Sequence, residues 1–241
     1  MTNLFIDIYA LSEGAVTVVF GEEINLISAG KIRRFNETVC RHPFPGMITT
    51  VAAYISLTVF YNPVTLFGAG IPGLSNIDKI THYLKNLVIE TDVNEVLPTK
   101  IVVPVCYGGT MGPDLDLVAT TKKLTSAEII EFHSSTTYYV HMIGFVPGFA
   151  YLGGMNPELN MPRKTQPRAI VEAGSVGIAG AQTGIYSLDT PGGWQIIGKT
   201  PLRMFDAERR QPSLLQSGYE VVFRPVTIKE FEYLKTHNDG N

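Results

Sequence analysis

The residues best suited to chemistry are concentrated between positions 141 and 206. Arg163 and Arg168 stand five positions apart in a segment bounded by prolines. Two guanidinium groups on restricted backbone can hold a carboxylate or a phosphate through paired hydrogen bonds, whereas the alternative role is surface solvation. His141 opens the same region. Its ordinary pKa near neutrality would suit proton transfer, although a structural histidine would give the same pattern.

Polar and aromatic side chains accompany these cations on loops that are rich in glycine and proline. Gln182 and Tyr186 could bind a ligand or satisfy loop carbonyl groups. Trp194, the single tryptophan, could line a site or belong to the core. Glycine at this density fixes loop backbones and allows close approach. The pattern therefore predicts a place where a ligand or another chain contacts the backbone closely.

Two glycine motifs match nucleotide-binding patterns, but their surroundings argue against that function. Residues 68–73 have the spacing G-x-G-x-x-G, yet the third glycine precedes the predicted helix cap Ser75, and Pro72 lacks a backbone donor. Residues 193–200 have the spacing of a P-loop, but their intervening side chains favour a strand and a proline follows directly. We predict a simple connection at the first motif and a β-hairpin with a buried tryptophan at the second, where Lys199 remains able to contact an anion.

Composition excludes several classes of protein. The chain has 241 residues, 17% of them charged, and a formal net charge of −3 without a basic block, which argues against nucleic-acid binding. The sequence shows no apolar run long enough for a membrane helix and no signal peptide, so we expect a cytoplasmic protein with no membrane partner. No spacing of metal ligands is evident, and neither a metal nor an organic cofactor is expected. Cys40 and Cys106 are expected to be reduced thiols, with a single disulfide as the alternative.

The elements that position the candidate residues fall into two domains. Residues 1–95 alternate short strands with amphipathic helices, which predicts a small α/β sandwich domain. Polar residues from Glu90 to Lys100 predict a linker, and the two domains are expected to meet near residues 92–102. Residues 101–235 begin with a strand and two short helices and continue as short strand-like runs among many glycines and prolines, which predicts a β-barrel or sandwich. The predicted fold class is therefore α+β, and disorder is expected only in the tail at 237–241.

Local signals place particular elements within these domains. Strands are predicted at 5–9, 15–20, 101–105, 175–179, 195–197 and 220–224, with one or two strands across 51–61. Helices are predicted from residue 24 onward, after Ser75 and in a short stretch whose first turn holds Pro113. A capping box at 125–128 predicts a further helix start.

Several longer motifs resemble the 5-oxoprolinase B-subunit family, which is also called allophanate hydrolase subunit 1 and includes the sporulation-kinase inhibitor KipI. The motifs are VCYGGTMGPDLDLVA at 105–119, HMIGFVPGFAYLGG at 141–154, PRKTQPR at 162–168, AGSVGIAGAQTGIY at 173–186 and PGGWQIIGKTPLRMFD at 191–206. SEGAVTVVFG and SLTVFYNP extend the resemblance into the first domain. Three positions depart from the family pattern: Glu172 and Ser187 stand where prolines are usual, and Lys199 replaces an arginine.

The resemblance implies an N-terminal α+β domain and a C-terminal cyclophilin-like β-barrel. It also implies that this chain forms a complex with homologues of subunits A and C and is active only in that complex. The complex would hydrolyse 5-oxo-L-proline to L-glutamate with ATP as cosubstrate. Related domains belong to urea carboxylase, so the expected substrate is a small lactam, amide or ureido compound. In such a site Arg163 and Arg168 would hold anions and His141 would carry a proton. Substrate binding would involve a further set of residues: Gln182, Thr183, Tyr186, Trp194 and Lys199.

A second hypothesis is a KipI-like inhibitor that binds a sensor histidine kinase without catalysis. In that case the segment FVPGFAYLGG at 145–154 would dock on the kinase. Both hypotheses use the same motifs, so an activity assay with subunits A and C is needed to separate them. A third hypothesis, prolyl isomerase activity by analogy with cyclophilin, depends on the fold alone.

Overall fold

The structure is a computed structural model that describes residues 6–87 and 98–238. Contacts divide the chain into two compact units, and the division falls between Leu97 and Pro98. The predicted linker lies partly outside the described residues. The domain limits of 1–95 and 101–235 therefore stay predictions. No helix within the described ranges combines the length and apolar character needed to cross a membrane.

The first unit is an antiparallel sheet packed against helices. Its strands are β1 (Asp7–Ser12), β2 (Ala15–Val19), β3 (Met47–Ala52) and β4 (Ser56–Tyr61), in the spatial order β1-β2-β4-β3. Its helices are α1 (Leu26–Arg41), α2 (Pro63–Phe67) and α3 (Asn76–Asn86). Alternate strand residues such as Val16 and Leu57 pack with helix residues such as Phe35 and Ile80 to form its core.

Local sequence signals account for much of this unit. Ser75 caps α3 as predicted, and Asp78 completes a capping box with it. The stretch 51–61 belongs to two strands because the chain turns between β3 and β4. The glycine motif at 68–73 connects α2 to α3, as predicted. A Cβ atom on its last glycine, Gly73, would lie 2.6 Å from the backbone nitrogen of Lys79, so this glycine serves close packing.

The second unit contains a closed β-barrel. Its strands are β5 (Lys100–Tyr107), β6 (Thr137–Ile143), β7 (Ala150–Gly153), β8 (Arg168–Val171), β9 (Ser175–Ala179), β10 (Gln182–Ile185), β11 (Thr190–Gly192), β12 (Gln195–Lys199) and β13 (Glu220–Pro225). Seven of them close the barrel in the order β10-β7-β6-β13-β5-β12-β9, with β5 and β13 parallel. Strands β8 and β11 form a separate antiparallel ribbon. The helices are α4 (Leu115–Lys122), α5 (Ser126–Ser134) and α6 (Ile228–Asn238).

Apolar side chains from the barrel strands fill the interior. Val103, Val140, Leu152, Ile178 and Val221 belong to one buried cluster that α4 and α5 extend. A closed barrel leaves no unpaired edge in its sheet, which suits a unit made of many short strands. The predicted α+β class with a C-terminal barrel is confirmed. The match to a P-loop is accidental, as predicted, because residues 195–199 form strand β12.

Three local expectations for the second unit had different outcomes. Thr125 and Glu128 form the predicted capping box at the start of α5. Pro113 precedes α4 rather than lying in its first turn, and the cap position is taken by Asp114. Helix α6 was not predicted, and it includes His237, which was expected in a disordered tail. Residues 239–241 lie outside the described part of the chain. The helix was missed because its apolar periodicity is weak, with only Phe231 deeply buried.

Candidate functional site

An aromatic pocket of about 330 Å³ lies on the barrel unit. It brings together three of the residues predicted for the site, Arg163, Tyr186 and Trp194. Three more aromatic side chains, two prolines and two glycines complete the wall: Phe145, Phe149, Tyr151, Pro167, Pro191, Gly192 and Gly193. The pocket therefore offers mainly apolar, flat surfaces and one cationic side chain to a ligand.

Phe149 organises the aromatic wall. It is almost fully buried, and its ring makes edge-to-face contacts with Tyr151, Tyr186 and Trp194 at centroid distances of 4.9, 5.5 and 5.6 Å. Edge-to-face pairs of this kind hold aromatic rings in defined orientations. These contacts therefore set the relative orientations of four rings in the wall.

Phe145 lies at the same pocket but differs from the other aromatic residues. Its side chain is 62% exposed, and its backbone has a φ of +66°. Residues other than glycine rarely adopt this left-handed conformation, which costs of order 1–3 kcal/mol. The ring nevertheless remains packed edge-to-face on Phe149 at 5.6 Å. The strained backbone thus holds an aromatic ring at the edge of the pocket instead of in the core.

Tyr186 supplies a hydrogen-bond donor in the pocket wall. Its phenolic hydroxyl carries a proton that can be donated to a ligand. Burial raises the pKa of Tyr186, against the opposing effects of the nearby backbone N–H of Trp194 and of the positive charges on Arg163 and Arg168. The phenol is therefore protonated at neutral pH. Only glycine fits at position 192, because a Cβ atom there would lie 2.2 Å from the phenolic oxygen.

The two arginines have different surroundings. Arg163 is exposed at the pocket, and no carboxylate of the described residues pairs with it. Arg168 instead donates from Nη2 to Oδ1 of Asp114 at 2.8 Å, and Lys164 Nζ contacts the same oxygen at 2.8 Å. Oδ2 of Asp114 accepts from the backbone N–H of Ile196 at 2.7 Å. Arg163 is thus a cation of the pocket wall without a described carboxylate partner, whereas Arg168 is bound to Asp114 within the protein.

Asp114 was missed in the sequence analysis. It directly precedes α4, where an aspartate is expected to cap the helix, but its side chain makes no capping hydrogen bond. Burial by itself would raise the pKa of this carboxyl group. The hydrogen bonds from Arg168, Lys164 and the Ile196 amide outweigh burial and lower the pKa, so Asp114 is ionised at neutral pH. The partners are about 50 and 80 residues away in sequence, so no local signal identifies the cluster.

His141 does not line the aromatic pocket. It lies on β6 beside a register shift and is 7% exposed. Its ring packs against Gly153 and contacts Tyr139 edge-to-face at 5.5 Å. Burial lowers the pKa of His141, so the neutral form is favoured. The structure therefore does not bring this histidine together with Arg163.

Thr183 lies inside the barrel and is fully buried. Its hydroxyl donates to the carbonyl oxygen of Gly177 at 3.0 Å and must therefore accept from Nε2–H of His133 at 2.9 Å. Nδ1 of His133 then accepts from the hydroxyl of Tyr107 at 2.7 Å. Burial lowers the pKa of His133 to about 3, which agrees with this neutral tautomer. Thr183 is thus occupied in an internal network, and half-buried Gln182 at the start of β10 does not line the aromatic pocket.

Lys199 lines a different pocket of about 280 Å³, beside α6. Its ammonium group forms an ion pair with Glu172, and Arg203 and Lys235 line the same pocket. Glu172 and Lys199 are two of the positions that depart from the family pattern, and the structure joins them. The charge of Lys199 therefore has a partner within the protein. Ser187, the third departure, also lines this second pocket.

Among residues 6–87 and 98–238, no group of three or more His, Cys, Asp or Glu side chains is arranged to hold a metal ion. Cys40 is exposed and Cys106 is buried, and both are free thiols. The candidate site consists of the aromatic wall, Tyr186 and Arg163.

Comparison with known proteins identifies the family. Residues 6–215 match the model of the carboxyltransferase domain, subdomain C and D. The 5-oxoprolinase B-subunit of Bacillus subtilis (strain 168) is 40% identical over 231 residues, which cover 95% of this chain and 96% of that protein. The 5-oxoprolinase B-subunit of Escherichia coli O157:H7 is 38% identical over 218 residues, which cover 90% of this chain and 94% of that protein.

A solved structure extends the comparison to the fold. The crystal structure of Kluyveromyces lactis urea carboxylase superposes with a TM-score of 0.70 at 19% identity, over 98% of this chain and 24% of that protein. This likeness concerns the fold alone. The extended sequence matches to the two bacterial proteins carry the assignment, and the chain belongs to the 5-oxoprolinase B-subunit family, within the carboxyltransferase domain, subdomain C and D.

Proposed function

We propose that this chain is a subunit of an ATP-dependent 5-oxoprolinase complex and that its aromatic pocket binds 5-oxo-L-proline. Relatives that match over almost their whole length are named as B-subunits of 5-oxoprolinase. The observation that carries the assignment of the pocket is the combination of aromatic walls with Arg163, an arginine that no described carboxylate neutralises. A substrate with a small ring and one carboxylate fits that combination.

The chemistry of the substrate matches the pocket group by group. The volume of the pocket, about 330 Å³, is near the lower end of the range of ~300–1,000 Å³ for ligand pockets, which suits a small molecule. Arg163 would pair with the carboxylate of the substrate. The aromatic rings that line the pocket would cover the five-membered ring, and the hydroxyl of Tyr186 would donate to the lactam oxygen.

The lactam is stable, so its hydrolysis must be driven. In the proposed reaction the lactam oxygen attacks the terminal phosphate of ATP, which forms an O–P bond and releases ADP. Water then adds to the activated carbonyl carbon and the C–N bond of the ring breaks, which leaves the side-chain carboxyl group as an acyl phosphate. A second water hydrolyses this acyl phosphate, and glutamate and phosphate leave. The residues of this chain bind and orient the lactam, and Tyr186 stabilises charge on its oxygen.

We assign ATP binding to the partner subunits, the proposed homologues of subunits A and C. Neither glycine motif of this chain has the strand, loop and helix arrangement that nucleotide phosphates require. His141 and Gln182 stay outside the proposed pocket, and Thr183 and Lys199 are bound elsewhere. A cytoplasmic location stays a prediction. The alternative of a histidine kinase inhibitor is not favoured, since the relatives that match in full are named as 5-oxoprolinase subunits.

The test is reconstitution of the complex from this chain and candidate subunits A and C. Release of glutamate from 5-oxoproline is measured with and without ATP and with each subunit omitted. We expect activity only when ATP and all three subunits are present. Hydrolysis of an amide or ureido compound, without turnover of 5-oxoproline, would make the proposed substrate wrong. Inhibition of histidine kinase autophosphorylation by a complex that hydrolyses none of these compounds would support the alternative.

A further inference from the structure

We infer that Asp114 is a positioning residue of the proposed site. Its buried carboxylate fixes the arginine loop, residues 162–168, so that Arg163 faces the pocket with its charge unpaired. The inference rests on the proposed function for the identity of the ligand. The contacts that support it do not depend on that function.

One carboxylate joins the arginine loop to the strand that follows Trp194. Asp114 is 4% exposed, and its Oδ1 holds Lys164 and Arg168, each at 2.8 Å. Its Oδ2 accepts from the N–H of Ile196 at 2.7 Å, and its own N–H donates to the Ile196 carbonyl at 2.9 Å. A buried carboxylate with charged and backbone partners is a rigid anchor, because moving any partner leaves a charge desolvated and unpaired.

Further hydrogen bonds hold both chain neighbours of Arg163. The carbonyl oxygen of Pro162 accepts from Nε2 of Gln195 at 3.1 Å. The backbone N–H of Lys164 donates to the carbonyl oxygen of Gly193 at 2.7 Å, while its ammonium group contacts Asp114. The backbone of Arg163 is therefore fixed on both sides, although its own side chain has no carboxylate partner among the described residues. Binding then needs ordering of one side chain and not of a whole loop.

The arginine loop also keeps an excess of positive charge. Lys164 and Arg168 share a single carboxylate, and Nη1 of Arg168 is buried without a hydrogen-bond partner in the described part of the chain. Removal of the negative charge of Asp114 would therefore make this region still more cationic. Simple electrostatics predicts that an anionic ligand would then bind more tightly. Positioning predicts the opposite, because the loop that presents Arg163 would lose its anchor.

The test compares Asp114→Asn with the control Asp116→Asn, which changes an exposed aspartate of α4 that bonds Ser126 instead of the arginine loop. Trp194, the single tryptophan, reports binding to the full-length chain through its fluorescence. The two ligands are 5-oxoproline and pyrrolidinone, the same lactam ring without the carboxylate. We expect Asp114→Asn to weaken 5-oxoproline about tenfold, as for partial loss of a charge-assisted contact, and to leave pyrrolidinone unchanged. In the reconstituted complex, KM should rise by the same factor while kcat changes little.

Unchanged or tighter binding of 5-oxoproline by Asp114→Asn would overturn the inference. Equal weakening of both ligands would also overturn it, since that indicates a general structural role. Amide hydrogen exchange at residues 162–168 adds a readout that needs no ligand. We expect faster exchange in Asp114→Asn, and unchanged exchange would contradict the inference even if 5-oxoproline proves not to be the ligand. If that variant fails to fold, Lys164→Met loosens the same anchor, and the exchange measurement decides in the same way.

Discussion

Arg163 and Arg168 are chemically identical and close in sequence, yet only Arg163 lines the aromatic pocket. Asp114 pairs with Arg168, whereas Arg163 stands exposed in the wall of the aromatic pocket. The role of each guanidinium group is thus decided by one carboxylate that lies about 50 residues earlier in the chain. At the scale of single residues, pairing with a carboxylate therefore distinguishes a structural arginine, Arg168, from a candidate ligand-binding arginine, Arg163.

Arg163→Ala is expected to weaken 5-oxoproline binding about 30-fold, which corresponds to the ~2 kcal/mol typical of hydrogen bonds to charged groups. The melting temperature should stay the same, because the side chain is exposed and makes no ion pair with described residues. Trp194 fluorescence titration measures the affinity. Arg34→Ala, an exposed change in the first unit, serves as the control. Equal binding by Arg163→Ala would remove this arginine from the site.

His133 gives a prediction for acid stability. Burial lowers the pKa of His133 to about 3, below the ~6.5 of an unfolded histidine. Between pH 3 and pH 6.5 the unfolded state therefore binds more protons at this residue than the folded state does. The stability that the neutral ring contributes is complete above pH 6.5 and is lost progressively as the pH falls toward 3. For this residue alone the loss between pH 7 and pH 5 should be about 2 kcal/mol.

The measurement is urea unfolding at the two pH values, followed by Trp194 fluorescence so that the barrel unit is observed. His133→Gln should be less stable at pH 7, since the stacked contact of the ring with Phe223 is lost. It should also lose less stability than the wild type on acidification. His82→Gln, in the first unit, should behave as the wild type does. Identical acid sensitivity in wild type and His133→Gln would show that the histidine charges without unfolding.

At the scale of elements, the ribbon of β8 and β11 brings the arginine loop beside the aromatic wall. The ribbon pairs Arg168 with Gly192, and Gly192 lies against the phenolic oxygen of Tyr186. A short two-stranded ribbon outside the barrel thus connects three separate segments of the pocket. The backbone φ of Gly192 is not in the left-handed region, so backbone conformation does not require glycine there. The requirement is steric, because a Cβ atom would collide with Tyr186.

Gly192→Ala is expected to displace Tyr186 and to cost about 1–3 kcal/mol of barrel stability, as overpacking of a filled site does. Binding of both lactams should weaken, because the donor to the lactam oxygen moves. The neighbouring Gly193→Ala is a matched control, since a Cβ atom there would have its nearest contact at 3.7 Å. Thermal unfolding and fluorescence titration provide the two measurements. Tight lactam binding by Gly192→Ala would contradict the assigned role of Tyr186.

At the scale of the whole molecule, the aromatic pocket and the pocket beside α6 have different lining residues. The aromatic pocket has a single cation, whereas the second pocket has Lys199, Arg203 and Lys235. The lysine of the P-loop-like motif therefore lies at the second pocket, in an ion pair, and not in a phosphate loop. Lactam binding by this chain and phosphate transfer by its partners are separate tasks in the proposed complex.

The chain alone is expected to bind neither ATP nor NAD with micromolar affinity through its glycine motifs. Calorimetric titration of the full chain and of Lys199→Ala tests this expectation, with 5-oxoproline as a second ligand. Lys199→Ala should leave 5-oxoproline affinity unchanged, because this lysine does not line the aromatic pocket. Micromolar ATP binding that disappears in Lys199→Ala would show that the second motif was misinterpreted.

The sequence by itself predicted several of the elements and the segment in which the proposed site lies. Helix caps at Ser75 and Thr125, the strand predicted at 195–197 and a second unit of short strands follow from local chemistry, because capping, periodicity and turn residues act over a few positions. Arg163, Tyr186 and Trp194 could be selected as candidate site residues for a related reason. They lie among glycines and prolines, which are typical of loops that contact ligands.

Only the tertiary structure decided which of the predicted residues meet. Thr183 and His141 are near the other candidates in sequence, but the strands place Thr183 in the interior and His141 against Gly153. Asp114 resembles an ordinary helix cap until the fold brings Arg168 and Ile196 to its two oxygens. The physical reason is that burial and charge pairing depend on contacts between distant segments, and closure of the barrel, not sequence spacing, creates those contacts.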